Sequence, residues 1–459
     1  MNTTNQFEIQ QEAKHLQSVI KTFFDNFSVG TLLNQCGIKK LKGVSPLAIF
    51  ETIFLLAFQG QNFYRGIVLN EQLGFQKDVA YDLLENPRYN WRRFLLRLAV
   101  KIVTVLDLLT SEQREKVLVV DDSDYDRSRS KTVELLAKIF DHNTRKYLKG
   151  FKLLTLGWTD GATFLPLDFV LRSSANAANR IQGIKKALDK RTCGHKRRQE
   201  AMTKSTDLLE DMVKRVQALG IGADYILMDS WFCFASLVAK LSRHVPVICM
   251  AKDLTSNFYR YQNELVRLGE LYRRVKKRPG KAKIIASVIV PMRNGPLVKI
   301  VFVRNRNGRG WLALLSTDTN LPDAEVIRIY GKRWDIEVFF KMAKHHLNLE
   351  REVQLRDYDG LVAHASLVFT RYMFLALQQR FHDDPRSIGS LFHACCDEIQ
   401  DLTLFEALRR LLTLAMEKVR RSGEFAEAII SAMLDAVMGA AVEIIKSAQR
   451  SFAASALNQ

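Results

Sequence analysis

Three acidic residues stand where a fold could gather them around one ion. Asp121-Asp122-Ser123 closes the apolar run 117–120, and Asp229 closes the apolar run 225–228. Apolar runs of four bounded by polar residues read as short buried strands. Strand carboxyl ends in open α/β sheets are where ligand sites form. Neighbouring residues of a strand face opposite ways, so one of Asp121 and Asp122 points inward. Asp122 is taken as the first acid and Asp121 as its alternative. Glu337, the third acid, lies in Tyr-Gly-Lys-Arg-Trp-Asp-Ile-Glu-Val-Phe-Phe-Lys-Met-Ala-Lys, residues 330–344. Drawn as one helix, Tyr330, Arg333, Glu337, Lys341 and Lys344 share roughly 80° of arc. Ile336, Phe339, Phe340, Met342 and Ala343 take the other side, and Asp335 falls with them. A solvated face explains charge on such a helix but not a Tyr, an Arg and a Glu aligned with two lysines.

Three carboxylates without cysteine are a hard oxygen set that suits Mg²⁺ or Mn²⁺. Two such ions about 3.5–4 Å apart neutralise the attacking and leaving oxygens of a phosphodiester in an in-line displacement. Tyr330, Arg333, Lys341 and Lys344 would then hold phosphates beside the scissile bond. Other metal chemistries fit less well. Asp122-x-Asp124-x-Asp126 imitates a calcium loop, but its sixth position is Arg127 and its twelfth Val133. His345 and His346 are adjacent and point apart, which favours DNA or solvent contact. The six cysteines are scattered without a CxxC pair, so neither zinc nor a disulfide framework is indicated.

The elements that would position these acids follow in order. Residues 1–112 read as a helical DNA-binding region, with a helix-turn-helix over 78–85 and 90–109. The second helix carries Arg92, Arg93, Arg97 and Lys101, which suits a DNA-reading helix or a packed helix with a basic edge equally. Residues 113–252 give strands at 117–120, 150–158, 163–171, 225–228 and 245–250 with helices between the later ones. This is the order of a mixed α/β, ribonuclease-H-like sheet. Residues 253–321 alternate at period two and read as a β-rich insertion, 322–350 as the helix of Glu337, and 351–459 as a helical region that would pair protomers. The gaps between the acids are about 107 and 108 residues, and roughly 70 of the second are insertion.

The pattern Tyr-x2-Arg-x3-Glu-x6-Lys, here Tyr330, Arg333, Glu337 and Lys344, resembles the signature of the insertion sequence 4 family of bacterial DDE transposases. Residues 117–350 match that family's layout. Asp122-Ser123 resembles its first acid followed by a small hydroxyl residue, while Asp229-Ser230-Trp231 departs from its commoner Asp-Arg. The resemblance implies Asp122, Asp229 and Glu337 as catalytic metal ligands for two Mg²⁺ or Mn²⁺ ions. It also implies cut-and-paste transposition: hydrolysis, a hairpin on the opposite strand, reopening, and joining to target DNA. A homodimer in a synaptic complex with terminal inverted repeats is implied as well. Trp311, in Trp-Leu-Ala-Leu-Leu-Ser, resembles the segment whose Trp stacks on a flipped base in hairpin-forming members. A related nuclease without strand transfer and a non-catalytic DNA-binding relative are the alternatives.

Composition agrees with a folded protein that meets a polyanion. Of 459 residues, 47% are hydrophobic and 25% charged, and 68 Lys+Arg against 49 Asp+Glu leave +19. Two basic runs, 185–198 and 272–283, read as DNA contacts, the second through Arg273, Arg274, Lys276 and Lys277. The most apolar early stretch, 47–58, is too short to span a bilayer and contains Glu51. A cytoplasmic, nucleoid-associated bacterial protein is expected.

Overall fold

In the computed structural model the described residues are 19–70, 73–111, 113–141, 144–185, 187–280, 282–305 and 310–381. They divide between two compact units. One has 19–28 and 55–61 as its described residues; the other holds 29–54 and 62–381. In the smaller unit the Phe23 ring lies 5.9 Å from Phe24 and 5.2 Å from Phe27. The C-terminal pairing expectation for 351–459 falls, past residue 381, outside the described residues.

Helices α1 (Val29–Gln35), α2 (Pro46–Leu55), α3 (Lys77–Leu84) and α4 (Trp91–Leu109) come next in the chain. Their starts follow local chemistry. Ser45 Oγ accepts the Ala48 N–H at the head of α2, with Pro46 in the first position, and Asn90 Oδ1 accepts the Arg93 N–H at the head of α4. The expected helix-turn-helix is α3 and α4. Yet α4 is a core helix: Trp91, Phe94, Leu95, Leu98 and Ile102 are fully buried. Arg92 donates to Asp168 and Glu200, and Arg97 to Gln35. Arg92 and Arg97 are thus engaged within the fold, while Arg93 is exposed.

The sheet follows as β1 (Val117–Asp126), β2 (Ala137–Asp141), β3 (Lys146–Thr159) and β4 (Phe164–Arg172), then α5 (Cys193–Ala201), α6 (Ser205–Gln217), β5 (Tyr225–Met228), α7 (Ala235–Leu241) and β6 (Val247–Ala251). β1 is antiparallel to β3 and parallel to β5, and β5 is parallel to β6. This is the mixed α/β, ribonuclease-H-like arrangement expected.

Among the described residues, the stretch 253–321 carries five strands. It begins with the small hairpin β7 (Tyr259–Tyr261) and β8 (Glu264–Val266) and helix α8 (Leu268–Arg274). Its three longer strands, β9 (Ile284–Pro291), β10 (Leu297–Arg304) and β11 (Trp311–Ser316), join the main sheet, because β11 pairs antiparallel with β6. The nine strands run β2-β3-β1-β5-β6-β11-β10-β9, with β4 also on β3. Pairing with β11 satisfies the backbone groups that β6 would otherwise leave open.

Helices α9 (Asp323–Gly331), α10 (Trp334–His345) and α11 (Tyr358–Phe381) follow. Phe339 of α10 meets Phe369 of α11 at 4.8 Å, and Phe369 meets Phe169 of β4 at 4.9 Å. Among the described residues α11 is the one helix long and apolar enough to cross a membrane, and its apolar window is entirely buried inside the protein.

Candidate active site

Strand register decides which acids meet. Val120 stands beside Met228 where β1 and β5 run parallel, so the next residue of each strand, Asp121 and Asp229, emerge side by side. Neighbouring strands lie about 4.8 Å apart. The same alternation sends Asp122 to the other face. There Asp124 is ion-paired with Lys152 at 2.5 Å, and the negative charge of Asp122 acts on Arg172. The expected first acid, Asp122, is therefore turned away from Asp229, and its alternative, Asp121, faces it. One residue of strand phase separates the two readings, and sequence carries no marker of that phase.

Glu337 reaches the same face through Arg333. The guanidinium donates to Asp121 Oδ2 at 3.0 Å and to Glu337 Oε1 at 2.5 Å. The single helix expected over 330–344 is in fact two, because Lys332 and Arg333 break it between α9 and α10. Tyr330 ends up on α9. Its ring lies 5.9 Å from the Arg333 guanidinium, and its hydroxyl is buried. Asp335 faces β3, where it accepts from Thr159 Oγ1 at 2.7 Å. Lys344 donates to the Asp124 carbonyl and lies 3.1 Å from Glu350, while Lys341 is exposed.

Burial sets the electrostatics. Desolvation pushes the Asp121 carboxyl up to about 7, with the Asp122 and Asp229 charges adding to it and Arg333 opposing it. Burial likewise raises the Tyr330 phenol, with Asp229 contributing and Arg333 opposing. Arg333 is held firmly cationic: Tyr330, Asp121 and Glu337 together outweigh its own burial.

The donor chemistry suits a hard divalent cation: oxygen only, two carboxylates in register and a third tied to the first by a guanidinium. Among the described residues no three His, Cys, Asp or Glu side chains stand close enough to hold one ion as placed. Arg333 stands between the first and third acids, and its cation satisfies both. The residues fit the group in kind, and Arg333 must give way for all three to share it.

The other expected contacts divide. In the run 185–198, Arg197 and Arg198 are buried among Asp359 and Glu134, which removes them from any DNA surface. Arg191 pairs with Asp189. In the second run, Arg274 is held by Glu264 and Glu270, and Lys277 lies 4.9 Å over the Tyr272 ring. Arg273 and Lys276 are exposed. Trp311 stacks on Tyr272 at 4.5 Å and meets the Phe302 ring edge-on at 5.2 Å, so one ring face is already covered. Of the loop before it, 306–309 lie outside the described residues. Trp311→Ala is expected to cost about 2 kcal/mol for the lost half-buried ring and its stack. Chemical denaturation reads the loss, and Trp311→Phe should restore most of it.

Residues 65–281 match the family described as DDE superfamily endonuclease. The match spans less than half of the chain; it supports a DDE transposase-type family and suggests nuclease or transposase activity. No curated protein matches the chain.

Proposed function

We propose that the protein is a DNA transposase of the insertion sequence 4 type, in which Asp121, Asp229 and Glu337 are the catalytic acids. The parallel register that sets Asp121 beside Asp229 carries this reading. The same face receives Glu337 through Arg333. Divalent ions, Mg²⁺ or Mn²⁺, would supply charge neutralisation at the scissile phosphate and an activated attacking oxygen when held by these three carboxylates. With the three carboxylates so engaged, the Arg333 guanidinium would be free to bind a phosphate oxygen in the same forked manner. Tyr330 places its hydroxyl beside it, and the exposed Lys341 carries the positive edge along α10, next to Lys344, which is paired with Glu350. Hydrolysis frees a 3′-hydroxyl, whose attack on the opposite strand displaces the 3′-oxygen of the flanking DNA and leaves a hairpin. A second hydrolysis reopens the hairpin, and the 3′-hydroxyl then joins target DNA by displacing a target 3′-oxygen. The hairpin, the pairing of two protomers and the synapsis of terminal repeats rest on the resemblance of the Tyr330, Arg333, Glu337, Lys344 pattern.

The test uses the DNA that flanks the reading frame as a linear duplex with Mg²⁺. Hairpin-ended excision products, and joining of a pre-cleaved end to plasmid, are expected. Cleavage without joining would replace the reading by a metal-dependent nuclease. Binding without cleavage would replace it by a non-catalytic relative.

A further inference from the structure

The hairpin of β2 and β3 extends past the rest of the sheet and carries a surface that the proposed site does not use. Lys138 lies directly opposite Lys149, and Phe140 opposite Tyr147. Alternation along each strand puts these four side chains on one face of the ribbon. Like charges set directly across a ladder repel each other, so the fold gains nothing from the lysine pair. Tyr147 is 74% exposed, although its ring lies 5.2 Å from Phe140. Arg145, beside the tip, adopts φ 55, a conformation that asparagine or glycine takes more readily. Lys138, Arg145 and Tyr147 are exposed, and Lys149 is half-buried with a long contact to the Ser130 carbonyl. An edge strand gains protection from one lysine, but it does not need a facing pair backed by two aromatic rings.

Position gives the ribbon a direction. Counting in steps of two from Thr155, which pairs with Asp121, reaches Lys149 and Tyr147 on the same sheet face as Asp121. Six residues of β3 separate Thr155 from Lys149, about 20 Å at 3.4 Å per residue. Duplex DNA rises about 3.4 Å per base pair along each strand, so a duplex cut at Asp121 would bring phosphates about six base pairs away over this ribbon.

We propose that the β2–β3 ribbon is a second DNA-binding surface, which grips the phosphate backbone of duplex DNA about six base pairs from the cut. Lys138 and Lys149 neutralise phosphates, and the Tyr147 hydroxyl donates to one. Its geometry rests on the proposed active site, but its test does not. The probe is a fluorescein-labelled 40-base-pair duplex of mixed sequence, titrated by anisotropy from 50 to 300 mM KCl with the full-length protein. Lys138→Gln with Lys149→Gln is expected to weaken binding at least tenfold at 100 mM. The slope of log affinity against log salt should fall by about 1.8, at roughly 0.9 per lost contact. Tyr147→Phe should weaken binding by a few-fold without changing the slope. Melting temperature should stay level or rise, since a repulsive pair is removed. The single substitutions, each with half the slope change, cover the case in which the double variant folds poorly. Unchanged affinity and slope in folded variants would overturn the ribbon alone. Failure of the wild-type protein to bind the duplex would overturn both readings. Retention of cleavage by Asp121→Asn would sink the active-site assignment and leave the ribbon standing.

Discussion

Asp121→Asn is expected to lower metal-dependent DNA cleavage on the order of 10³-fold or more, while Asp122→Asn leaves it within about tenfold. The two residues are neighbours, and a rule that picks the acid followed by a hydroxyl residue would choose Asp122. The parallel register of β1 and β5 selects Asp121 instead. Duplex binding should survive in both variants, because phosphate contacts elsewhere supply the affinity. Equal loss of cleavage in the two, with folding intact, would show that strand phase does not choose the ligand.

The same residue should impose a pH signature. The Asp121 carboxyl sits at about 7 in the folded chain against an ordinary 3.8, because burial outweighs Arg333. A group whose folded value is raised binds its proton more tightly in the folded state. The wild-type protein should therefore lose stability as pH rises from about 4 through 7. Asp121→Asn removes that dependence, and thermal melts at pH 5 and 8 compare the two directly. Divalent metal binding runs the other way. It needs the carboxylate, so below pH 7 it should weaken by up to about tenfold per unit through this group alone.

The second large effect concerns residues that look like DNA contacts in sequence. Arg198→Ala is expected to cost about 3–5 kcal/mol, the range for breaking a buried ion pair from one side. Arg198 is 1% exposed and pairs with Glu134 and Asp359, both also buried. Its loss would strand Glu134, whose remaining donors are the backbone N–H groups of Lys185 and Tyr358. Arg198→Lys should recover only part, since one ammonium cannot replace a fork that meets two carboxylates. Denaturant unfolding gives the difference. A variant of wild-type stability with weaker DNA binding would return Arg198 to the surface reading.

Much of this protein was legible in its chain. The apolar runs at 117–120 and 225–228 announced strands because four consecutive apolar residues can be buried on both faces of a sheet. The acids that follow each run were visible for the same reason, and the Arg333–Glu337 pair followed from helical spacing, which the structure keeps at i,i+4. What sequence could not supply was every choice made between elements. Period-two alternation in 284–304 shows strands but not which edge they join, and the main sheet took them through β6 and β11. Charge runs at 185–198 and 272–283 show cations but not their partners. Glu134 and Asp359, both distant in sequence, bury two of them. The face of Asp121 and the pairing of Lys138 with Lys149 depend on register. Register is fixed by hydrogen bonds between strands far apart in the chain, so only the tertiary structure decided it.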